Sequence, residues 1–211
     1  GMRRIGRGWS AELLRADRRI GAIASDRPVL FAGGDELLRS LGNAMNQARS
    51  LVHVYTDGSV AVSTGAVEMG HGVNTKMAQV AAAVFGLDVT MVKVHTTNTL
   101  RIANTSPTAA SAAADLNGKA TQIACETIRE RLFDVAASML GKETSEGVAL
   151  SDVDWKDLVM EAHLRRVNLS EHSHYATPGI GFDWSTAKGH PFAYHVYGTA
   201  IVGVTVDCLR G

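Results

Sequence analysis

Hydrophobic and polar positions change period several times along this chain. Residues 51–56 form a β-branched and aromatic run, Asp57-Gly58 is a two-residue hairpin signal, and residues 59–64 return the strand, so a β-hairpin is expected over 51–64. Over 73–85 the pattern becomes an apolar helix, and Gly86 stands where a glycine commonly ends one. Residues 89–95 read as a further strand. Ser106 and Pro107 write a helix start, with Ser106 at the N-cap and Pro107 in the first turn, where its missing N–H costs nothing. That helix is expected over 107–140, first alanine-rich and then amphipathic through Ala120, Ile123, Thr127, Arg131, Val135 and Met139. A third helix is expected over 152–166, opening on Asp152 and Asp154, and a strand follows over 167–174. Residues 176–191 read as loop and 194–209 as a bent strand. The sum is an α+β fold: a mixed sheet holding the 51–64 hairpin and later strands, with helices at about 73–85, 107–140 and 152–166 packed on it.

Residues 1–45 are the least patterned. Leu37, Leu38, Leu41 and Met45 share one helix face, behind an arm in which Arg3, Arg4, Arg7, Arg15, Arg18 and Arg19 scatter among glycines. Such an arm reads as solvated rather than as a phosphate patch. The organisation expected is a segment 1–45 ahead of one domain over 46–211, with no internal repeat or linker.

Composition narrows the partners. At 211 residues the chain can bury a core, and 45% hydrophobic with 20% charged residues is an ordinary globular mixture. Lys+Arg and Asp+Glu balance at 21 each, so there is no global field to attract nucleic acid or an anionic membrane, and neither is expected as a partner. The longest apolar runs, 79–87 and 198–206, are too short to span a bilayer. Two cysteines cannot supply a disulfide framework, a four-cysteine zinc site or an iron–sulfur cluster. Arg3 and Arg4 are not followed by the apolar stretch of a secretory signal, Gly1 before Met2 reads as the scar of a cleaved expression tag, and a cytoplasmic protein is expected. A chain stopping at Arg210-Gly211, just past a strand, reads as cut.

Two segments carry candidate chemistry. Residues 65–72, Gly65 to Gly72, lead from a strand into a helix, where glycine N–H groups and a helix N-terminus suit an anion. His71 stands where a Walker A loop needs lysine, and a tight connection needing glycine dihedrals accounts for the loop equally well. The second segment has only small side chains over 108–114, which lets a ligand or another helix touch the backbone. Glu68 and Asp115 lie beside these segments, as general bases or as structural carboxylates. His172 and His174 alternate onto one strand face near His190 and His195, but no tight helical pair or cysteine joins them, and no metal site is assigned. No catalytic triad, cysteine nucleophile or carboxylate pair is assigned.

Taken together, Asp57-Gly58-Ser59-Val60, Glu68-Met69-Gly70-His71-Gly72-Val73-Asn74-Thr75-Lys76-Met77, Asn104-Thr105-Ser106-Pro107-Thr108-Ala109-Ala110-Ser111 and Asp115-Leu116-Asn117-Gly118 resemble the large molybdenum subunit of the xanthine dehydrogenase and aldehyde oxidase family. Tyr175-Ala176-Thr177-Pro178, Pro191-Phe192-Ala193-Tyr194 and Val206-Asp207-Cys208-Leu209-Arg210-Gly211 extend the resemblance, which covers about residues 46–211. It implies an oxidoreductase that hydroxylates a purine, N-heterocycle or aldehyde carbon with oxygen from water on a molybdenum–pyranopterin cofactor, electrons leaving through iron–sulfur clusters and FAD. It places a cofactor contact at Gly70, His71 and Gly72, and a backbone cradle at Thr108, Ala109, Ala110, Ser111, Ala112 and Ala113. The sequence departs from the family at His71, where glutamine is usual, and at Ala66, where a second glycine is usual. It lacks the Gly-Glu-Pro-Pro segment that carries the family's catalytic glutamate. The resemblance therefore implies part of a catalytic subunit, with the rest of the large subunit and iron–sulfur and FAD domains or subunits as partners. The chain alone is expected to be inert and to hold little or no cofactor. An apolar patch near the C-terminal strand is expected, open to dimerisation. The alternative is a diverged or truncated non-catalytic binding module of the same fold.

Overall fold

The computed structural model describes residues 4–5, 8–9, 45–103, 105–109, 112–183, 185–193 and 208–209. Alternation builds its central strand. In β1 (Gln47–Val54) every second residue, Ala48, Ser50, Val52 and Val54, is buried, so one face meets the helices. β1 runs antiparallel to β2 (Val60–Thr64) on one side and, from Gln47 opposite Ala176 to His53 opposite Ser170, to β4 (Ser170–Ala176) on the other. β2 is followed by α1 (Val73–Phe85), which crosses over to β3 (Val92–Val94), parallel to β2. The sheet order is β3-β2-β1-β4, a mixed sheet as expected.

α1 and the long α2 (Ala113–Met139) pack together and α2 lies along β1 and β4. Between them Val52, Val60, Val62, Val73, Met77, Ile128 and Leu132 are fully buried. α3 (Trp155–Leu164) docks on α2 through Leu158 and Val159. Its first residue ties it to the hairpin: the Trp155 indole donates to the Gly58 carbonyl at 2.8 Å and its ring lies 5.4 Å from that of Phe85. Arg131 of α2 pairs with Glu171 and donates to the carbonyls of Asn168 and Ser170, holding β4 to the helix.

Several expected boundaries move, each for a local reason. The hairpin starts at Gln47 rather than 51, because β1 extends to pair with β4. Its turn is a three-residue loop rather than two: Tyr55 N–H donates to Ser59, Gly58 N–H to Tyr55, and Gly58 takes a left-handed φ of 84°. The strand expected over 89–95 is shortened by a 3₁₀ turn, Val89–Met91, whose start is capped by the Asp88 carboxylate accepting from Thr90 N–H. The helix expected over 107–140 begins at Ala113, because residues before it bond to β1 instead: Ser106 N–H donates to Gln47 O at 3.0 Å, and Pro107 disfavours helix at Ser106. The third helix begins at Trp155, since Asp154 rather than Asp152 accepts from Lys156 and Asp157 N–H, and Leu150–Asp152 forms a separate 3₁₀ turn. It ends at Leu164, two residues short of 166; Arg166 then turns with φ 63°, and the strand expected over 167–174 shifts to Ser170–Ala176. Residues 176–191 are not all loop: β5 (Gly181–Asp183) pairs antiparallel with β6 (Lys188–His190). The helix face of Leu37, Leu38, Leu41 and Met45, the strand over 194–209 and the apolar patch beside it fall, but for Met45, Leu209 and Cys208, outside the described residues.

Candidate functional site

Where β2 ends, the chain enters the 65–72 loop, and short polar bonds fix its course. The Thr64 hydroxyl accepts from Ala66 N–H at 3.3 Å, and the Thr97 hydroxyl sits 3.0 and 2.5 Å from the carbonyl oxygens of Thr64 and Ala66. At Gly65 a Cβ would overlap the Thr105 side chain, so glycine is required there for close approach. Ala66 is buried in the turn. The loop is thus clamped between the segment at 97 and the segment at 105.

Glu68 then folds back over the loop that follows it. Its Oε1 accepts from Gly70 N–H at 2.9 Å and Gly72 N–H at 3.0 Å, and its Oε2 from Asn74 N–H, in the first turn of α1, at 3.1 Å. Gly70 and Gly72 take φ values of 94° and 75°, which glycine adopts without strain. The bond from Asn74 N–H first, then those from Gly72 and Gly70 and the nearby His71, hold the Glu68 carboxyl below its ordinary value, against the opposing cost of desolvation. The N–H groups expected to meet an external anion are therefore already held by the chain's own carboxylate. Of the two roles open to Glu68, the structure gives the structural one. His71 reaches out beside it, Nδ1 3.6 Å from Glu68 Oε1.

The second segment meets the first directly. The Thr108 hydroxyl accepts from Val67 N–H at 2.8 Å. Ala112 N–H donates to Ala109 O at 3.2 Å, and the Ala112 side chain makes no cap bond to α2. Gly70, His71 and Gly72 thus lie on one loop and Thr108, Ala109, Ala112 and Ala113 on the other, joined at Thr108. Ala110 and Ser111 lie outside the described residues.

Beneath the second segment is a polar layer that the sequence reading passed over. The Thr121 hydroxyl donates to Asn117 O or Ser50 Oγ, at 2.8 and 2.9 Å, and Ser173 Oγ to Ala120 O at 2.5 Å. Asn117 Nδ2 donates to Ala113 O at 2.9 Å, yet its Oδ1 is buried with no partner, as is Thr105 Oγ1. The only signal was asparagine within the quoted Asp115–Gly118 motif, whose apolar surroundings no local pattern reveals. These unpaired atoms, the small side chains above them, and the open space at Gly70 and Gly72, where a Cβ would touch nothing, fit a bulky hydrogen-bonding cofactor.

Among the described residues the histidine cluster is not assembled, and His195 lies outside them. His172 and His174 are exposed on β4, and His174 Nε2 lies 3.0 Å from Gln47 Oε1. Among the described residues no three His, Cys, Asp or Glu side chains could share a metal ion, and no helix is long and apolar enough to cross a membrane.

A sheet with one crossover helix, in which two turns rich in small residues meet at helix starts above unpaired buried polar atoms, defines a ligand-cradling domain. Residues 28–211 match the molybdopterin cofactor-binding domain, and the chain belongs to that family. It is 44% identical over 167 residues to xanthine dehydrogenase of Oryza sativa subsp. japonica, covering 79% of this chain and 11% of that protein. Against the xanthine dehydrogenase/oxidase of Mus musculus it is 43% identical over the same length, or 12% of that protein. The chain thus spans about a ninth of the length of these relatives. Among solved structures, a Cu,Mo-CO dehydrogenase superimposes with a TM-score of 0.59 at 19% identity, over 66% of this chain and 21% of that one. Quinoline 2-oxidoreductase from Pseudomonas putida 86 gives 0.54 at 18% identity, over 81% and 26%. These two show a shared fold.

Proposed function

We propose that this chain is part of the molybdenum-cofactor-binding subunit of a xanthine dehydrogenase-like oxidoreductase. The observation that carries the reading is the Thr108–Val67 hydrogen bond, which brings the two predicted cofactor segments into one cradle. Gly70, His71 and Gly72 make one wall of the proposed cradle and Thr108, Ala109, Ala112 and Ala113 the other; Ala110 and Ser111, expected there from the sequence, lie outside the described residues. When bound, the molybdenum–pyranopterin cofactor supplies the redox chemistry for hydroxylating a purine, N-heterocycle or aldehyde carbon with oxygen from water.

This chain's share is to orient. Glu68 fixes the loop backbone, so that His71 projects from a set position, and Thr108 holds the opposite wall against it. His71 offers a ring nitrogen where relatives of this kind usually offer a glutamine amide. The base that moves the substrate proton and the groups that bind substrate belong to the rest of the large subunit. Iron–sulfur and FAD groups belong to other domains or subunits, and the assembly is cytoplasmic.

The test compares this purified chain with the complete enzyme that contains it, using hypoxanthine and an aldehyde in ¹⁸O-labelled water. The complete enzyme is expected to carry molybdenum and to place the label in the product, and the isolated chain to turn over neither substrate. A complete protein without molybdenum, or turnover by the chain alone, overturns the corresponding half of the reading.

A further inference from the structure

α1 starts at the 65–72 loop and ends 13 residues further on, about 20 Å away, in a different environment. Around its last turn, α2 and the 148–153 segment leave a cleft of about 420 Å³. Val84, Phe85, Leu87, Phe133, Leu150 and Trp155 give it apolar walls, and Arg129 of α2 is the one charged side chain among its described lining residues.

The Arg129 guanidinium is held but not neutralised. Its central carbon lies 5.8 Å from the centre of the Phe133 ring, Nη1 makes a long bond to Val84 O at 3.4 Å, and Nε is buried with no acceptor. Carboxylates near it serve other groups: Glu126 accepts from the Gln122 amide, Asp152 from Ala149 N–H, and Asp154 from Lys156 and Asp157 N–H. Arg131 and Arg165 each have a carboxylate partner, and among the described residues Arg129 has none.

A cation half withdrawn from water is costly without a counter-charge, and a guanidinium presents its donors as a fork that matches a carboxylate. A lone fork between apolar walls does not suit a nucleic acid or a membrane surface, which need many cations. It suits one carboxylate with an apolar group beside it. The chain spans only 11% of its Oryza sativa relative, so most of the length of such a protein lies outside it.

We propose that this cleft is a docking surface for the remainder of the large subunit, which fills it with an Asp or Glu side chain paired to Arg129 and an apolar side chain laid against Phe133 and Leu150. Docking here rests on the functional reading above and concerns a face at the far end of α1 from the cradle. Arg129 is thereby an interface residue, whereas Arg131, two positions on, serves the fold by holding β4 to α2.

The experiment uses the complete enzyme with Ser151→Cys, at the exposed rim of the cleft, as a reporter, alone and combined with Arg129→Leu. Alkylation at position 151 is followed by peptide mass spectrometry and compared with the same enzyme unfolded in urea. A docked segment should slow the reaction at least about tenfold in the folded enzyme, and Arg129→Leu should restore most of the rate. In parallel, Arg129→Lys is treated with a carbodiimide, which joins an amine to a carboxylate in contact with it. The cross-link is expected to run from position 129 to an Asp or Glu outside these 211 residues. A position 151 that reacts as fast folded as unfolded overturns the proposal; if added phenylacetate then slows it, the cleft takes a free acid instead. Slow reaction that Arg129→Leu leaves unchanged, with no cross-link beyond the 211 residues, overturns it too, because the cover then does not use Arg129. Where the two readouts disagree, or Arg129→Leu does not fold, the cross-link decides: present, it upholds docking, and absent, it overturns it. A complete enzyme without molybdenum overturns the functional reading alone, since neither docking readout depends on the metal.

Discussion

Glu68 does at α1 what a bound anion would otherwise do, and it does so as a charge. Its folded-state pKa lies below the ordinary glutamate value of about 4.3, chiefly because Asn74 N–H donates to it. A depressed carboxylate contributes stability that is present above the unfolded value and is lost as pH falls through the folded one. Amide exchange at Gly70, Gly72 and Asn74, corrected for its intrinsic rate, should therefore stay protected from neutral pH down to about 4.3 and weaken below it. Glu68→Ala should lose that protection at every pH; unchanged protection would show that other bonds hold the loop. Cys125 makes the opposite case. Burial pushes its thiol up to about 12, so it is protonated at neutral pH and has no exposed surface. Thiol reagents at pH 8 should leave Cys125 unmodified in the native protein and label it once urea unfolds the chain. Native labelling of Cys125 at the rate of a free thiol would contradict its placement in the core.

At the scale of elements, the third helix depends on one cap. Asp154 accepts from two N–H groups of its first turn, and Asp154→Ala should cost about 1 kcal/mol in urea denaturation. A cost near zero would mean that docking of Trp155 between Gly58 and Phe85 holds the helix start by itself. What the sequence made legible were the elements whose signals are local. The α1 helix, 73–85, is found at those residues, because its apolar face and Gly86 act within one element. What it concealed were boundaries set by distant partners. Ser106-Pro107 has every local mark of a helix start, yet Ser106 spends its N–H on Gln47, a residue 59 positions away, and the helix waits until Ala113. Likewise β1 reaches back to Gln47 only because β4, far along the chain, is there to pair with it.

For the whole molecule, the site was half legible. The two segments were visible as runs of small residues, and the bond from Val67 to Thr108 joins them. Asn117, Thr105 and Thr97 were not visible, because a polar residue in the core looks in sequence like a polar residue at the surface. Met69 and Leu100 stand exposed, and the chain spans only 11% of its Oryza sativa relative. Glu68 has a further consequence for how such an enzyme comes into being. A loop whose N–H groups are already satisfied by its own carboxylate needs no cargo to hold its shape. On the function proposed above, the chain would fold first and be loaded afterwards, and the entropy of ordering this wall would be spent during folding rather than during maturation. A late-arriving cofactor then meets a finished wall.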